Sequence, residues 1–295
     1  MLNGGEHCDW PLAKDEVNMN PTIQRDFHRN GQLRAEVPWR KDQRHGICRT
    51  WHKNGVLASQ EPYQAGLLHG VCRQWNEAGR LLGKYKMVHG TGVQRSWHEN
   101  GRLQMEFSTV CGEFIGYSRI WLGDGTLLSE HISLHGQHVS IAEYRVAAAK
   151  DKSFPKLHGR PSKRLPDSPA REKHIFRVFV ASMLARSNRS EARKWLRKKT
   201  GDQTARSLGR FKRERDAEKF VQSLYDAGAL TVILPDVYQN QTGDEFADCL
   251  LVRLPKSMVL RKSIRQVCAQ LQRRNLGAMQ PDHDLGESHL YFYLG

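Results

Sequence analysis

Gly46-Ile47-Cys48-Arg49-Thr50-Trp51, followed by Asn54-Gly55-Val56-Leu57, is the stretch from which the fold of this chain can be read. Its register returns as Gly70, Val71, Arg73, Trp75, Gly79 and Leu81, and again as Gly92, Val93, Arg95, Trp97, Gly101 and Leu103. It returns once more as Gly116, Tyr117, Arg119, Trp121, Gly125 and Leu127. The opening glycines therefore recur at periods of 24, 22 and 24 residues (46 to 70, 70 to 92, 92 to 116). Upstream, Ile23, Arg25, Phe27, Gly31 and Leu33 form a degenerate leading copy, with Thr22 where the glycine would be. A weaker tail after His135-Gly136 is expected to close the array. Self-similarity at a fixed period marks a stacked repeat architecture, whose end copies are atypical because one side has no neighbour.

Each copy reads as a β-hairpin. The hydrophobe, arginine and tryptophan alternate with period 2, so all three are expected on one face of a strand. Asn30-Gly31, Asn54-Gly55 and Asn100-Gly101, with Ala78-Gly79 and Asp124-Gly125, supply the positive φ of a tight turn. The leucine two residues on starts a return strand that carries Tyr63, Tyr85 or Phe107. One hairpin cannot bury its apolar face alone, but stacked hairpins make a continuous sheet. Phe27, Trp51, Trp75, Trp97 and Trp121 are its expected structural core.

The repeated aromatic-x-x-N-G-x-L core and the glycine opening each strand resemble the MORN-repeat variant of the YwqK family, bacterial proteins described as antitoxins. The resemblance covers about 120 of the 295 residues. It implies an open, curved β-sheet used for contact with a protein or a membrane. This chain departs from the family in using Trp where Tyr is usual, and in carrying a different C-terminal domain.

The net charge of +15 is unevenly placed: residues 1–150 sum to +3, 151–215 to +14 and 216–295 to −2. Such a basic block meets anionic partners or stays solvated. Residues 150–171 hold four prolines and no apolar period, which reads as a linker. Beyond it, Ile175, Phe176, Phe179, Val180, Met183 and Leu184 have helical spacing, and Ser190 is placed to cap a second, basic helix. Further helices are expected near 216–227 and 258–274, with strands at 230–234, 249–254 and 289–294. The division is thus an N-terminal tail (1–21), a repeat array of about five copies (22–145), a Pro-rich basic linker (146–171) and an α+β domain of ferredoxin-like type (172–295). No apolar run approaches the length of a membrane span, and no signal peptide is visible. Six cysteines without a C-x-x-C pair fit a reduced cytoplasmic setting without a disulfide framework.

Three groups of residues are candidate sites. The arginine row, Arg25, Arg49, Arg73, Arg95 and Arg119, could bind phosphates, lipid headgroups or a carboxylate-rich partner, or could stack on the neighbouring tryptophans. The basic helix presents Arg186, Arg189, Arg193, Lys194, Arg197, Lys198 and Lys199 around Trp195, for nucleic acid, an anionic membrane or plain solvation. Asp282, His283, Asp284, Glu287 and His289, with Asp236, Asp244, Glu245 and Asp248 upstream, offer oxygen ligands to a hard metal or simply form polar turns. They match no named metal motif, and no nucleotide loop, nucleophile elbow or H-E-x-x-H is present, so no cofactor and no catalytic residue is assigned. The leading expectation is a non-enzymatic scaffold whose repeat sheet binds a protein or membrane surface. A nucleic-acid-associated regulator is second, and a metal-dependent hydrolase in the C-terminal domain is third.

Overall fold

The computed structural model describes residues 21–157, 168–197, 205–272 and 284–294. The expected N-terminal tail, apart from Pro21, and residues 158–167 of the expected linker lie outside them. Among the described residues two compact units emerge, one holding residues 21–28 and 33–157, the other Arg29–Gln32 and the residues from 168 onward.

The repeat unit is one antiparallel sheet of 13 strands. In chain order these are β1 (Thr22–Phe27), β2 (Leu33–Arg40), β3 (Gln43–Arg44), β4 (Gly46–Trp51), β5 (Leu57–Gln64), β6 (Leu67–Leu68) and β7 (Gly70–Trp75). Then come β8 (Leu81–Val88), β9 (Thr91–Trp97), β10 (Leu103–Val110), β11 (Glu113–Trp121), β12 (Leu127–Leu134) and β13 (Gln137–His138). The sheet follows chain order throughout, with β3 attached to β2 and β6 to β5. The degenerate leading copy makes β1 and β2, and β13 is the closing strand.

Two kinds of turn alternate along this meander. At the Asn-Gly positions the loop spans three residues: His52 N–H bonds the Val56 carbonyl at 2.8 Å, and Gly55, at φ +82°, takes the left-handed conformation. That is the geometry of a type I turn followed by a glycine. The asparagine holds it twice over. Asn54 Oδ1 accepts from Val56 N at 3.0 Å, while its amide donates to the Glu77 carbonyl of the next copy at 2.9 Å. The other turns, at Ala65-Gly66, His89-Gly90, Cys111-Gly112 and His135-Gly136, place both central residues at positive φ. They are type I′ turns, whose twist matches that of the flanking strands.

Histidines stitch copy to copy. Nε2–H of His28, His52 and His98 donates to the carbonyls of Trp51, Trp75 and Trp121, 23 residues on, at 2.8–2.9 Å. The third copy has Asn76 at this position, and Gln74 takes over, bonding both the N–H and the carbonyl of Trp97.

The pairing register shifts by one residue beside Phe27, Trp51, Trp75 and Trp121, and opposite Trp97. This corrects the expected placement of Trp97. Its ring lies over Gly83 and 6.4 Å from the ring of Tyr85, on the face of Cys72 and not on that of Arg95. A bulge locally breaks period-2 alternation, which sequence spacing alone cannot show. The tryptophans are half-buried, and Phe27 is 56% exposed. The fully buried centre of this face is Cys72 and Met87, with Leu68, Tyr63 and Tyr85 around them.

Helix α1 (Ile141–Lys150) begins at a capping box in which Ser140 and Glu143 bond reciprocally. It lays Tyr144 against Ile115, Tyr117 and Ile132 of the last copy, and Phe154 and Leu157 pack on the same cluster. Residues 146–157, expected to begin the linker, therefore belong to the repeat unit.

The second unit contains α2 (Pro169–Leu184), β14 (Ser190–Glu191), α3 (Ala192–Arg197), β15 (Arg206–Leu208), α4 (Glu214–Asp226) and β16 (Thr231–Leu234). These are followed by β17 (Tyr238–Gln239), β18 (Glu245–Ala247), β19 (Cys249–Arg253), α5 (Met258–Gln272) and β20 (His289–Tyr293). Alternation along β19 decides its layering. Cys249 and Leu251 meet Val180, Phe176 and Phe179 of α2, while Leu250 and Val252 face Trp195, Val221 and Ile264 of α3, α4 and α5. The four-stranded sheet runs β14-β16-β19-β20, all antiparallel, and β15 pairs in parallel with β18 in a separate three-stranded sheet. The α+β expectation holds. The ferredoxin-like form does not, because β19 and β20 pair antiparallel across α5 where a split βαβ unit needs parallel strands. Helix α2 starts at Ser168-Pro169, inside the stretch expected to be linker; a proline in the first turn opens a helix as readily as it interrupts one.

Replacing Gly83 by Ala forces a methyl group into the Trp97 ring, whose nearest atom would stand 2.2 Å away. Stability should fall by about 1–3 kcal/mol. In a Trp97→Ala background the same change should cost almost nothing, a non-additivity that denaturant titration of the four proteins reads directly.

Candidate functional site

The five arginines of the repeats do form a row, with one position on every long strand. Cross-strand pairing runs Arg25 to Glu36, Glu36 to Arg49, Arg49 to Gln60, Gln60 to Arg73 and Arg73 to Lys84. After the step to β9 it resumes as Arg95 to Glu106, Glu106 to Arg119 and Arg119 to Glu130. The return-strand residues were not singled out from sequence, yet they decide what the arginines do. Glu36 bridges Arg25 and Arg49 at 3.1 and 3.6 Å. Glu106 bridges Arg95 and Arg119 at 2.9 and 3.8 Å, and Glu130 holds Arg119 at 2.6 Å. The signal that could have found them is the period itself: Glu36, Gln60, Lys84, Glu106 and Glu130 recur at 24, 24, 22 and 24 residues.

Among the described residues, the row does not show the alternative expectation of arginine stacked on a neighbouring tryptophan. Arg119 lies 3.7 Å from the ring centroid of Tyr117, and Arg44, outside the row, covers Trp39 and Tyr63. In the middle of the row the pattern changes. Arg73 donates to the Val71 carbonyl at 3.4 Å, and the residues opposite it are Gln60 and Lys84. Lys84 is exposed, as is Lys86 two residues along the same face.

The opposite face, with Cys48, Cys72 and Met87, holds the carboxyl of Glu61 in its middle copies. Glu61 stands opposite Cys48, and the Tyr63 hydroxyl donates to it at 3.4 Å. Burial raises the Glu61 carboxyl above its ordinary range, pushes Cys72 up to about 11 and Tyr63 up to about 12. Cys48 and Cys72 are buried packing residues, and Cys249 and Cys268 are likewise free and buried. Cys111 is disulfide-bonded.

The basic segment folds differently from its expected display. Trp195 is buried in the core, not presented for stacking. Arg186 pairs with Asp236, Arg193 lies 3.8 Å over the Tyr225 ring, and Arg206 is held by Glu245 at 3.0 Å with only 4% of its side chain exposed. Arg189 bonds the Leu184 carbonyl. Lys194 and Arg197 remain exposed, and Lys198 and Lys199 lie outside the described residues. The cap of α3 is Glu191, not Ser190: its carboxylate accepts from Arg193 N and Lys194 N at 3.0 and 2.6 Å.

The acidic group near the end is tied to arginines. Asp284 accepts from Arg261 Nε at 2.7 Å, Glu287 pairs with Arg265, and the Arg261 hydrogen bonds hold the Asp284 carboxyl far below its usual range. Asp244 organises a turn through Ala205 N and Thr242, and His289 is buried. Among the described residues no three His, Cys, Asp or Glu side chains form a metal-binding group; Asp282 and His283 lie outside them.

A meander of near-identical hairpins joined in one sheet is the architecture of a β-repeat protein. Residues 44–65, which hold β4, its Asn-Gly loop and β5, match the family model described as MORN repeat variant. The match does not extend to the antitoxin resemblance, which has no further support. No curated protein and no solved structure matches the chain.

Two outcomes follow for the sheet. Arg119→Ala strips the arginine from Glu130, 15% exposed, and leaves Glu106 with Arg95 alone, and should cost about 1–3 kcal/mol. Arg25→Ala, at a pair whose arginine is 53% exposed, should cost under about 1 kcal/mol. The second outcome concerns pH. A carboxyl raised in the folded state binds its proton more tightly there than in the unfolded chain, so stability declines as pH rises from the ordinary carboxylate value through the raised one. Glu61→Gln should therefore raise the melting temperature at neutral pH and leave it unchanged near pH 3, well below the ordinary carboxylate value, where Glu61 is protonated in both states.

Proposed function

We propose that this chain is a non-enzymatic scaffold whose repeat sheet binds a protein partner. MORN repeats in general serve protein or membrane binding, and one copy here matches that model. The carrying observation is the surface that the sheet keeps open. Within the repeat unit, α1 and residues 154–157 cover the last copy, while Ile47 and Val88 remain 36% and 48% exposed on the arginine face of the middle copies. Apolar side chains set among fixed charges give both area and orientation to a partner surface. Against the nucleic-acid reading, Arg186 and Arg193 of the basic segment are engaged inside the second unit. No helix of the described residues is long and apolar enough to cross a membrane.

A photo-crosslinking residue at position 47 or 88 of the full-length chain, in its native cells, tests this. A discrete protein adduct that survives nuclease treatment is the expected result. Adducts only to nucleic acid or lipid, or protein capture only from exposed Val259 in the second unit, would overturn it.

A further inference from the structure

We infer that the middle of the arginine row is a docking site for carboxylate side chains of an extended protein segment, spaced three residues apart. The inference rests on the scaffold reading above and specifies the partner's chemistry. At both ends the row supplies its own counter-charges: Glu36 sits between Arg25 and Arg49, and Glu106 between Arg95 and Arg119. The two places between these bridges carry Gln60 and Lys84. An amide cannot neutralise Arg49 or Arg73, and an ammonium adds to the charge. Among the described residues, no carboxylate lies within ion-pairing distance of Arg73, Lys84 or Lys86, whereas every other arginine of the row has one.

The chemistry of the missing partner is set by the row itself. Wherever the arginines are satisfied, a carboxylate does it from between two neighbouring copies. The two unfilled places, at Gln60 and Lys84, are two strands apart, roughly 9–10 Å. A polyproline II chain laid across the strands advances about 3.1 Å per residue and returns to the same side every third residue, so acidic residues at every third position fall into register with both. Ile47 and Val88, exposed on the same face, offer apolar contact to the intervening residues. Bidentate recognition of carboxylates by guanidinium adds direction to what would otherwise be diffuse attraction.

The test fills the gap from within. The probe is a synthetic peptide with glutamate at every third position in a serine–threonine background, titrated against the full-length chain. A peptide of equal charge with its glutamates contiguous, phosphatidylserine vesicles and single-stranded RNA are the comparison arms. Gln60→Glu with Lys84→Glu completes the internal row and should weaken the spaced peptide by about tenfold or more. Its melting temperature should not fall, because the new carboxylates join existing arginines. Arg73→Ser should weaken the peptide as well, which covers the case in which the double variant does not fold. Lys256→Glu with Lys262→Gln, exposed positions of the second unit and the same change in charge, should leave binding intact. The inference is overturned if the double variant binds the spaced peptide like wild type, or if the contiguous peptide, vesicles or RNA bind as tightly with the same loss. Persistence of the protein adduct at position 47 without any peptide binding would sink this inference alone and leave the scaffold standing.

Discussion

A one-residue shift in strand pairing beside each repeat aromatic organises the sheet. Strict alternation would put Trp97 on the face of Arg95; at the shift, where Gln104 of β10 is the extra residue, its ring instead covers Gly83 beside Tyr85. The two faces acquire different chemistry as a result: aromatic rings, thiols and Met87 on one, and a charge row with scattered aliphatics on the other. The close approach also explains why a residue without a side chain occupies position 83 in the middle of a strand, where glycine is otherwise unfavourable.

The second unit shows why charge counts mislead about surfaces. A segment summing to +14 suggests an anion-binding display, yet arginine is also the residue best suited to buried pairing. Arg206 with Glu245, and Arg261 with Asp284 and Glu287, fix loops against the small sheet at positions that are nearly sealed from solvent. Their acidic partners come from distant parts of the sequence, some of them residues that looked like metal ligands. Two apparent sites, one basic and one acidic, thus largely resolve into internal pairs.

The repeat half was legible because its period is written in glycine, arginine and tryptophan, residues with narrow structural meaning. The second set of turns was not, since Ala65-Gly66, His89-Gly90 and Cys111-Gly112 share only the glycine, and strand twist does the rest. The carboxylate half of the charge row went unseen because its residues vary between Glu, Gln and Lys; a motif search keeps what is constant and discards what differs. In the second unit, helix α2 and the strands followed from apolar spacing. The burial of Trp195 could not, because a tryptophan flanked by arginine and lysine has the same local pattern whether it faces core or solvent. The ferredoxin-like topology failed for a similar reason: element order alone leaves the pairing of β19 with β20 undetermined.

The copy lengths of 24, 22 and 24 residues have a consequence for how such an array can grow. The short copy runs from Gly90 to Gly92, where its neighbour runs from Gly66 to Gly70 through the strand dipeptide Leu67-Leu68. Two residues are one full pleat, so losing them shortens the edge and leaves inside and outside unchanged. Loss of a single residue would instead send every later arginine to the aromatic side. Variation in such a lineage is therefore quantised: insertions and deletions within strands persist in even steps, and odd ones survive only where a loop or bulge absorbs the remainder.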